Sequence, residues 1–176
     1  KRQLESRSYE TAKHSERMAE LAKKVGIQMQ IGNSLIDELL LAVSVHDIGM
    51  VSIDKSILDK PGTLTYTERV EVMKHCEIGY HLLVATPSLA GVGEYVLSHH
   101  EHFDGTGYPQ GLSGSEIPLI SRIIAVVDSF EAMTNNRPYR VAMTHDAALE
   151  ELIRLSGKKY DPNVVFAFVN ALNEAT

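Results

Sequence analysis

Histidines and carboxylates recur together along this chain at spacings that suit metal binding. Glu10 and His14 are four residues apart, so on a helix their side chains lie on one face, as two ligands of a shared ion must. His46 and Asp47 place an imidazole beside a carboxylate whose two oxygens can bridge two ions. Each pair alone also fits an ordinary surface pair. The prediction therefore depends on how many such pairs coincide.

Three further sites strengthen the pattern. His99 and His100 are adjacent at the end of an apolar predicted helix, and burying two imidazoles is costly unless their nitrogens are satisfied. Asp128 lies in the apolar stretch 123–130, where a carboxylate should be paired, hydrogen-bonded or metal-bound. His75 fits either a ligand or a core histidine. Together these residues predict a histidine-carboxylate metal site assembled from several helices.

The predicted donor set consists of imidazoles and carboxylates. Cys76 is the sole cysteine, so no internal disulfide is possible, and we interpret it as a small buried side chain. Nitrogen and oxygen ligands suit iron or manganese, and zinc and nickel are also compatible. The other histidines, His81, His102 and His145, are interpreted as surface residues.

Length, charge and hydropathy limit the class of protein. The 176 residues, 44% of them hydrophobic, fit a single domain over 1–176 with its own core. A net charge of −6 argues against DNA or RNA binding, which depends on clustered Lys and Arg. No apolar run reaches the roughly 20 residues of a membrane span. We expect no membrane contact by this segment, a cytoplasmic location, and excision from a longer chain with an upstream sensory or regulatory domain.

The elements that position these residues are predicted to be helices. Hydrophobic periodicity indicates about seven, over residues 4–25, 33–46, 65–85, 87–100, 118–136, 144–157 and 161–172. Gly26 is the predicted stop of the first helix, and the predicted N-caps are Asn33 or Ser34, Thr65, Thr144 and Asp161. Residues 101–118 contain too many Gly and Pro for a helix and indicate a long ordered loop. The predicted fold class is all-α.

In this order the motifs closely resemble the HD-GYP family, a branch of the HD-domain phosphohydrolases. The resemblance covers nearly the whole chain. It is carried by Glu10-x-x-x-His14, His46-Asp47-Ile48-Gly49, His75, His99-His100-Glu101, Asp104-Gly105-x-Gly107-Tyr108-Pro109, Asp128, Arg137-Pro138-Tyr139-Arg140 and Tyr160-Asp161-Pro162. It implies an all-α HD-domain helical bundle with a long loop, here called the GYP loop (residues 101–118).

The resemblance also implies an activity and cofactors. Family members use two or three divalent metal ions, here expected to be iron or manganese, to activate water against a phosphodiester of cyclic di-GMP. The product would be linear pGpG, and with a third ion GMP. The implied metal ligands are His14, His46, Asp47, His75, His99, His100 and Asp128. His46 and Asp47 are the implied catalytic pair, with Asp47 as the bridge between two ions, and Glu10 matches the extra carboxylate of family members with a third metal.

Substrate contacts are implied for two segments. Arg137 and Arg140 match cations that the family places near the ligand phosphates, and a guanidinium offers a bidentate fork for that role. Gly107 and Tyr108 belong to the GYP loop, which the family ties to the substrate pocket or to docking of a protein partner. A solvated basic turn and a purely structural loop are the alternatives.

One position departs from the family pattern. The family usually continues His-Asp-Ile-Gly with Lys, whereas this chain has Met50, and Lys55 is a candidate substitute. Loss of a cation near the reacting phosphate should affect the rate more than metal binding. The alternatives are therefore a catalytically weak module that binds a cyclic dinucleotide or a protein, and an HD hydrolase of another cyclic dinucleotide such as cyclic GMP-AMP.

Overall fold

The structure is a computed structural model that describes residues 2–135 and 141–173, with side chains described from Lys13 onward. Within these ranges the regular elements are helices, with two isolated β-bridges and no strand. The helices are α1 (Arg2–Gln28), α2 (Asn33–Val45), α3 (Lys55–Leu58), α4 (Tyr66–Met73), α5 (His75–Val84), α6 (Gly93–Leu97), α7 (Leu119–Thr134), α8 (His145–Arg154) and α9 (Pro162–Asn173). The predicted all-α class is confirmed.

The apolar core lies where α1 contacts α2, α7 and α9. Met18, Val43, Ile124 and Phe168, one from each of these helices, are almost fully buried. Burial of such side chains supplies the main driving force for folding. Because α7 runs through this core, any carboxylate on its inner face is held in an apolar setting.

Three predicted helix starts are confirmed by their hydrogen bonds. Thr65 and Glu68 form a reciprocal capping box, with Thr65 N donating to Glu68 Oε2 over 2.7 Å. The Thr144 hydroxyl accepts from the Ala147 amide at 3.2 Å. Asp161 Oδ1 accepts from the Asn163 amide at 2.8 Å at the start of α9.

Two predicted boundaries near residue 30 are wrong. α1 continues through Gly26 to Gln28, and the turn is made by Gln30 at a φ of 55°. Gly26 instead permits close packing, because a Cβ there would lie 3.2 Å from Ile31 Cδ1. Neither Asn33 nor Ser34 is the N-cap of α2; Gly32 holds that position without a side-chain cap.

The predicted helices over 65–85, 87–100 and 144–157 are shorter or broken. The first divides at Lys74 into α4 and α5, where His75 Nδ1 donates to the Val72 carbonyl. The second retains only α6, preceded by a 3₁₀ turn at Ala90–Val92. The third ends at Arg154, because the Leu155 carbonyl then accepts from three amides of a tight turn, those of Lys158, Lys159 and Tyr160.

Candidate metal centre

Three of the predicted ligands share one local geometry. His46 follows α2, His75 begins α5, and His99 lies two residues beyond α6. Each ring donates from Nδ1 to the carbonyl oxygen three residues earlier, at 2.7, 2.7 and 2.6 Å to Val43, Val72 and Val96. In the neutral ring this places the lone pair on Nε2. In histidines that ligate a metal, the other ring nitrogen typically donates a hydrogen bond of this kind.

The donor atoms form two groups, each with its members' atoms within 4.8 Å of one another. The first group consists of His14, His46 and Asp128. The second consists of His75, Cys76, His99 and His100. Neighbouring rings connect the groups, since the centroids of His46 and His99 are 5.6 Å apart. The chain thus brings together six of the predicted ligands from five separate parts of the sequence.

Asp47 faces both groups. Its Oδ2 lies 3.3 Å from His46 Nε2, and its Oδ1 lies 3.7 Å from His75 Nε2. One oxygen directed at each group is the arrangement that a bridging carboxylate requires. The side chain is 47% exposed, so a ligand can approach it from solvent.

Two features indicate that the centre fits a cation. The Nε2 atoms of His75 and His99 are 3.4 Å apart, and both rings already donate from Nδ1, so two lone pairs face each other when the rings are neutral. His46 Nε2 is buried and faces Asp47 Oδ2 at 3.3 Å without forming a well-aligned hydrogen bond with any described residue. Buried nitrogen atoms of this kind are costly unless satisfied. The residues present fit bound divalent metal.

The surrounding charges also favour a cation. Burial opposes protonation of His46, but Asp47 and then Asp128 raise the pKa of His46 to about 9. Burial likewise opposes ionisation of Asp47, yet His46 holds the pKa of that carboxyl below its usual range. Burial, and then His75, lower the pKa of His100 to about 3. The centre attracts positive charge beside Asp47 and keeps His100 neutral, which suits a metal ligand.

Cys76 is buried, as predicted, and its sulfur lies 3.6 Å from His75 Nε2. Burial, followed by the charge of Asp47, raises the pKa of the Cys76 thiol to about 12. A protonated thiol is a poor metal ligand. The proximity of the sulfur to the second group therefore does not by itself make Cys76 a ligand.

Sequence reasoning missed the residues that hold His14. His14 Nδ1 lies 2.5 Å from Glu131 Oε2, and the Glu131 carboxylate also accepts from Arg17 Nε at 2.8 Å. Burial opposes ionisation of Glu131, but the bonds to His14 and Arg17 hold the pKa of its carboxyl below the usual range. Glu131 follows Asp128 by three residues on α7. The buried-carboxylate criterion applied to Asp128 could have identified it.

The turn after Asp47 is held by a close backbone contact. A Cβ at Gly49 would lie 2.0 Å from the His75 carbonyl oxygen and 2.8 Å from the Gly79 amide. Only glycine allows this approach. The glycine of the His-Asp-Ile-Gly motif therefore fixes the distance between Asp47 and His75.

The GYP loop is anchored to the centre by Glu101. Its buried carboxylate accepts from the amides of residues 110, 111 and 112 at 2.7, 3.1 and 3.1 Å. Gly107 approaches so closely that a Cβ would lie 2.2 Å from the His102 amide. The Tyr108 ring stacks on His100 with centroids 5.1 Å apart. The loop thus forms part of the wall beside the second donor group.

Several predicted site residues are not brought to the centre by described contacts. Arg137 and Arg140 lie outside the described residues, and so does the side chain of Glu10. Met50 is half-buried in the 3₁₀ turn Ile48–Ser52, and Lys55 is exposed at the start of α3. His81, His102 and His145 are absent from both donor groups, although His102 lines the adjoining cavity.

Comparison with known proteins places the chain in a family. A profile described as HD domain matches residues 1–164. The chain belongs to the HD domain family. It is 42% identical over 175 residues to a cyclic di-GMP phosphodiesterase of Thermotoga maritima, covering 98% of this chain and 47% of that protein. It is 36% identical over 170 residues to a 3′3′-cGAMP-specific phosphodiesterase of Vibrio cholerae, covering 97% of this chain and 37% of that protein.

Solved structures agree on the fold. A cyclic GMP-AMP specific phosphodiesterase of V. cholerae superposes with a TM-score of 0.72 at 20% identity, over 91% of this chain and 44% of that one. The resemblance to HD-GYP proteins drawn from the sequence is confirmed. The chain spans about half the length, or less, of the curated relatives it matches. Among its described helices, none is both long and apolar enough to cross a membrane.

Proposed function

We propose that this domain is a metal-dependent phosphodiesterase that hydrolyses cyclic di-GMP to linear pGpG. The observation that carries the proposal is the position of Asp47, with one carboxylate oxygen directed at each of two histidine-containing donor groups. Paired metal sites of this kind catalyse in-line displacement at phosphodiesters. The names of the curated relatives support the same substrate class.

The proposed cofactors are two or three divalent ions, with iron or manganese as the expected metals. His14, His46 and Asp128 would hold one ion, His75, His99 and His100 a second, and Asp47 would bridge them. Imidazole and carboxylate ligands suit both metals. Glu10, four residues before His14, is the proposed ligand of a third ion, which would allow pGpG to be cut onward to GMP.

Neighbouring residues of the chain hold and orient the proposed metal ligands. When bound, the ions supply polarisation of the phosphodiester and activation of water. Glu131 fixes the ring of His14, and three carbonyls fix His46, His75 and His99, so the donor atoms need little reorganisation on binding.

The remaining substrate contacts are assigned to the GYP loop and to the two arginines. Burial raises the pKa of Tyr108, so its phenol stays protonated and can donate to a phosphate or base oxygen. Arg137 and Arg140 are proposed to bind the phosphates through their guanidinium groups. Gly107 allows the GYP loop to pass close to the His102 amide. A protein partner at the GYP loop, an upstream domain and a cytoplasmic location stay predictions.

Met50 favours a second candidate, a module that binds a cyclic dinucleotide or a protein with little turnover. The residue has no charge to offer a phosphate, and the cation usual at this position is missing. A third candidate uses the same centre on cyclic GMP-AMP, the substrate named for one relative.

Hydrolysis assays separate the three candidates. Protein loaded with iron or manganese under reducing conditions should convert cyclic di-GMP to pGpG faster than cyclic GMP-AMP. His99→Gln should abolish turnover, whereas His81→Gln, a matched change at an exposed histidine, should not. Tight binding of cyclic di-GMP without product in either metal would support the binding module. A preference for cyclic GMP-AMP would support the third candidate.

The third ion has its own test. Glu10→Ala should lower the metal content by one ion per chain and leave pGpG as the final product. An unchanged metal content would remove Glu10 from the proposed ligands.

A further inference from the structure

A cavity of about 220 Å³ adjoins the metal centre on the side of the GYP loop. Its lining includes His99, His100 and Asp128, which belong to both donor groups, together with Lys159. Lys159 contributes the one ammonium or guanidinium group among the described residues of this lining. Lys159 therefore lines the same cavity as the proposed ligands His99, His100 and Asp128.

The backbone of Lys159 is fixed on both sides. Its amide donates to the Leu155 carbonyl at 2.9 Å, and its carbonyl accepts from the Phe103 amide, at the start of the GYP loop, at 3.2 Å. The next residue, Tyr160, is buried, and Lys159 Nζ lies 5.2 Å from the centre of its ring. The ammonium is thus carried by an ordered turn rather than by a free surface segment.

The alternative to a ligand-binding role is that Lys159 is an ordinary surface lysine paired with a carboxylate. No described carboxylate lies within ion-pair distance of Lys159 Nζ. Glu151, whose pKa is lowered first by Arg154 and only weakly by Lys159, is engaged by Arg154 at 2.6 and 2.7 Å. Glu101, which also lines the cavity, is occupied by three loop amides. Among the described residues, no carboxylate therefore competes with a ligand for the positive charge of Lys159.

We infer that Lys159 binds a non-bridging oxygen of the phosphate held at the metal centre, and so supplies the cation that Met50 does not. The inference rests on the proposed function for the identity of the substrate, and it extends that function by a phosphate-binding residue. An ammonium is well suited to this contact as a mobile point charge with three donors.

Binding of inorganic phosphate to manganese-loaded protein tests the inference without relying on hydrolysis. Lys159→Gln keeps most of the side chain but removes the charge, and should raise the dissociation constant for phosphate by about tenfold, the effect of one charge-assisted hydrogen bond. Lys158→Gln removes the same charge from the exposed neighbouring residue and should change the constant by less than about twofold. Lys159→Arg should restore most of the affinity.

The two proposals can fail separately. Equal phosphate affinities of Lys159→Gln and Lys158→Gln would overturn the role of Lys159, as would a folded, metal-loaded wild-type protein that binds no phosphate. Wild-type protein that hydrolyses no cyclic dinucleotide, but loses phosphate affinity on Lys159→Gln, would overturn the proposed function and uphold this inference. Metal content and thermal unfolding of each variant, measured beside the wild type, confirm that the compared proteins are equally loaded and folded.

Discussion

His75 and His99 face each other through their Nε2 atoms, 3.4 Å apart, while the Nδ1 of each ring donates to a backbone carbonyl. Neither neutral ring can donate to the other, so positive charge between or beside the two nitrogens would stabilise the pair. A proton or a metal ion can supply that charge. The proposed phosphodiesterase requires the metal ion.

Glu131 should control metal affinity without touching the metal. Glu131→Gln weakens the contact that orients His14, and loss of such a supporting group typically costs about 10- to 100-fold in metal affinity. Titration of the metal-free variant with manganese measures the effect. Glu16→Gln, an exposed change on α1, the helix that carries His14, is the matched control. Equal affinities in the two variants would show that His14 needs no support from Glu131.

Gly49→Ala should destabilise the fold at the turn that carries Asp47. The new methyl group would overlap the His75 carbonyl oxygen, and relief of this overlap should cost roughly 3 kcal/mol of unfolding free energy or more. Urea unfolding gives the value. Gly91→Ala, where a Cβ has no neighbour within 4 Å, should show no comparable loss. A Gly49→Ala protein as stable as Gly91→Ala would contradict the close contact.

Glu101→Gln should loosen the GYP loop. The neutral amide offers one acceptor oxygen in place of a carboxylate that binds three amides, so protection against hydrogen exchange at residues 110–112 should fall by about tenfold. Glu94→Gln, an exposed change on α6, should leave those amides unaffected. Unchanged exchange in the Glu101 variant would mean that other contacts hold the loop.

His100 should make the metal-free protein lose stability as the pH falls. Burial, and then His75, lower the folded-state pKa of His100 to about 3 from 6.5, so this imidazole stabilises the fold above pH 6.5. That contribution is lost as the pH drops from 6.5 toward 3, because the unfolded chain takes up the proton first. His100→Gln should therefore lose less stability than wild type between about pH 7 and about pH 5 in chelator-treated urea unfolding. His81→Gln should follow the wild type, and an identical slope for His100→Gln would contradict the prediction.

Much of the fold was predictable because its signals are local. Capping residues such as Thr65, Thr144 and Asp161 bond to amides within three residues, so the sequence alone specifies those helix starts. The errors came from tertiary contacts. Gly26 is a typical stop signal, but the helix continues past it to Gln28 in close approach to Ile31, and the break before His75 coincides with the bond from its ring to the Val72 carbonyl.

The candidate site was likewise predictable only in part from the sequence. Residue type and spacing identified His46, Asp47 and Asp128, and the structure places them together. The partners of these residues could not be read from spacing, because Glu131 meets His14 across 117 positions of sequence. Lys159 was missed for the same reason, since nothing in its local sequence points to a cavity formed by α7 and the GYP loop.

The most direct test of the metal centre is the metal content of wild-type protein dialysed against manganese, measured beside His75→Ala and His99→Ala. We predict about two or three ions per wild-type chain. Each variant should lose the ion of the second donor group and all hydrolysis of cyclic di-GMP, because the facing Nε2 atoms then no longer hold a shared cation. A folded wild-type protein that retains no manganese or iron would contradict the account. So would variants that keep the full complement of ions.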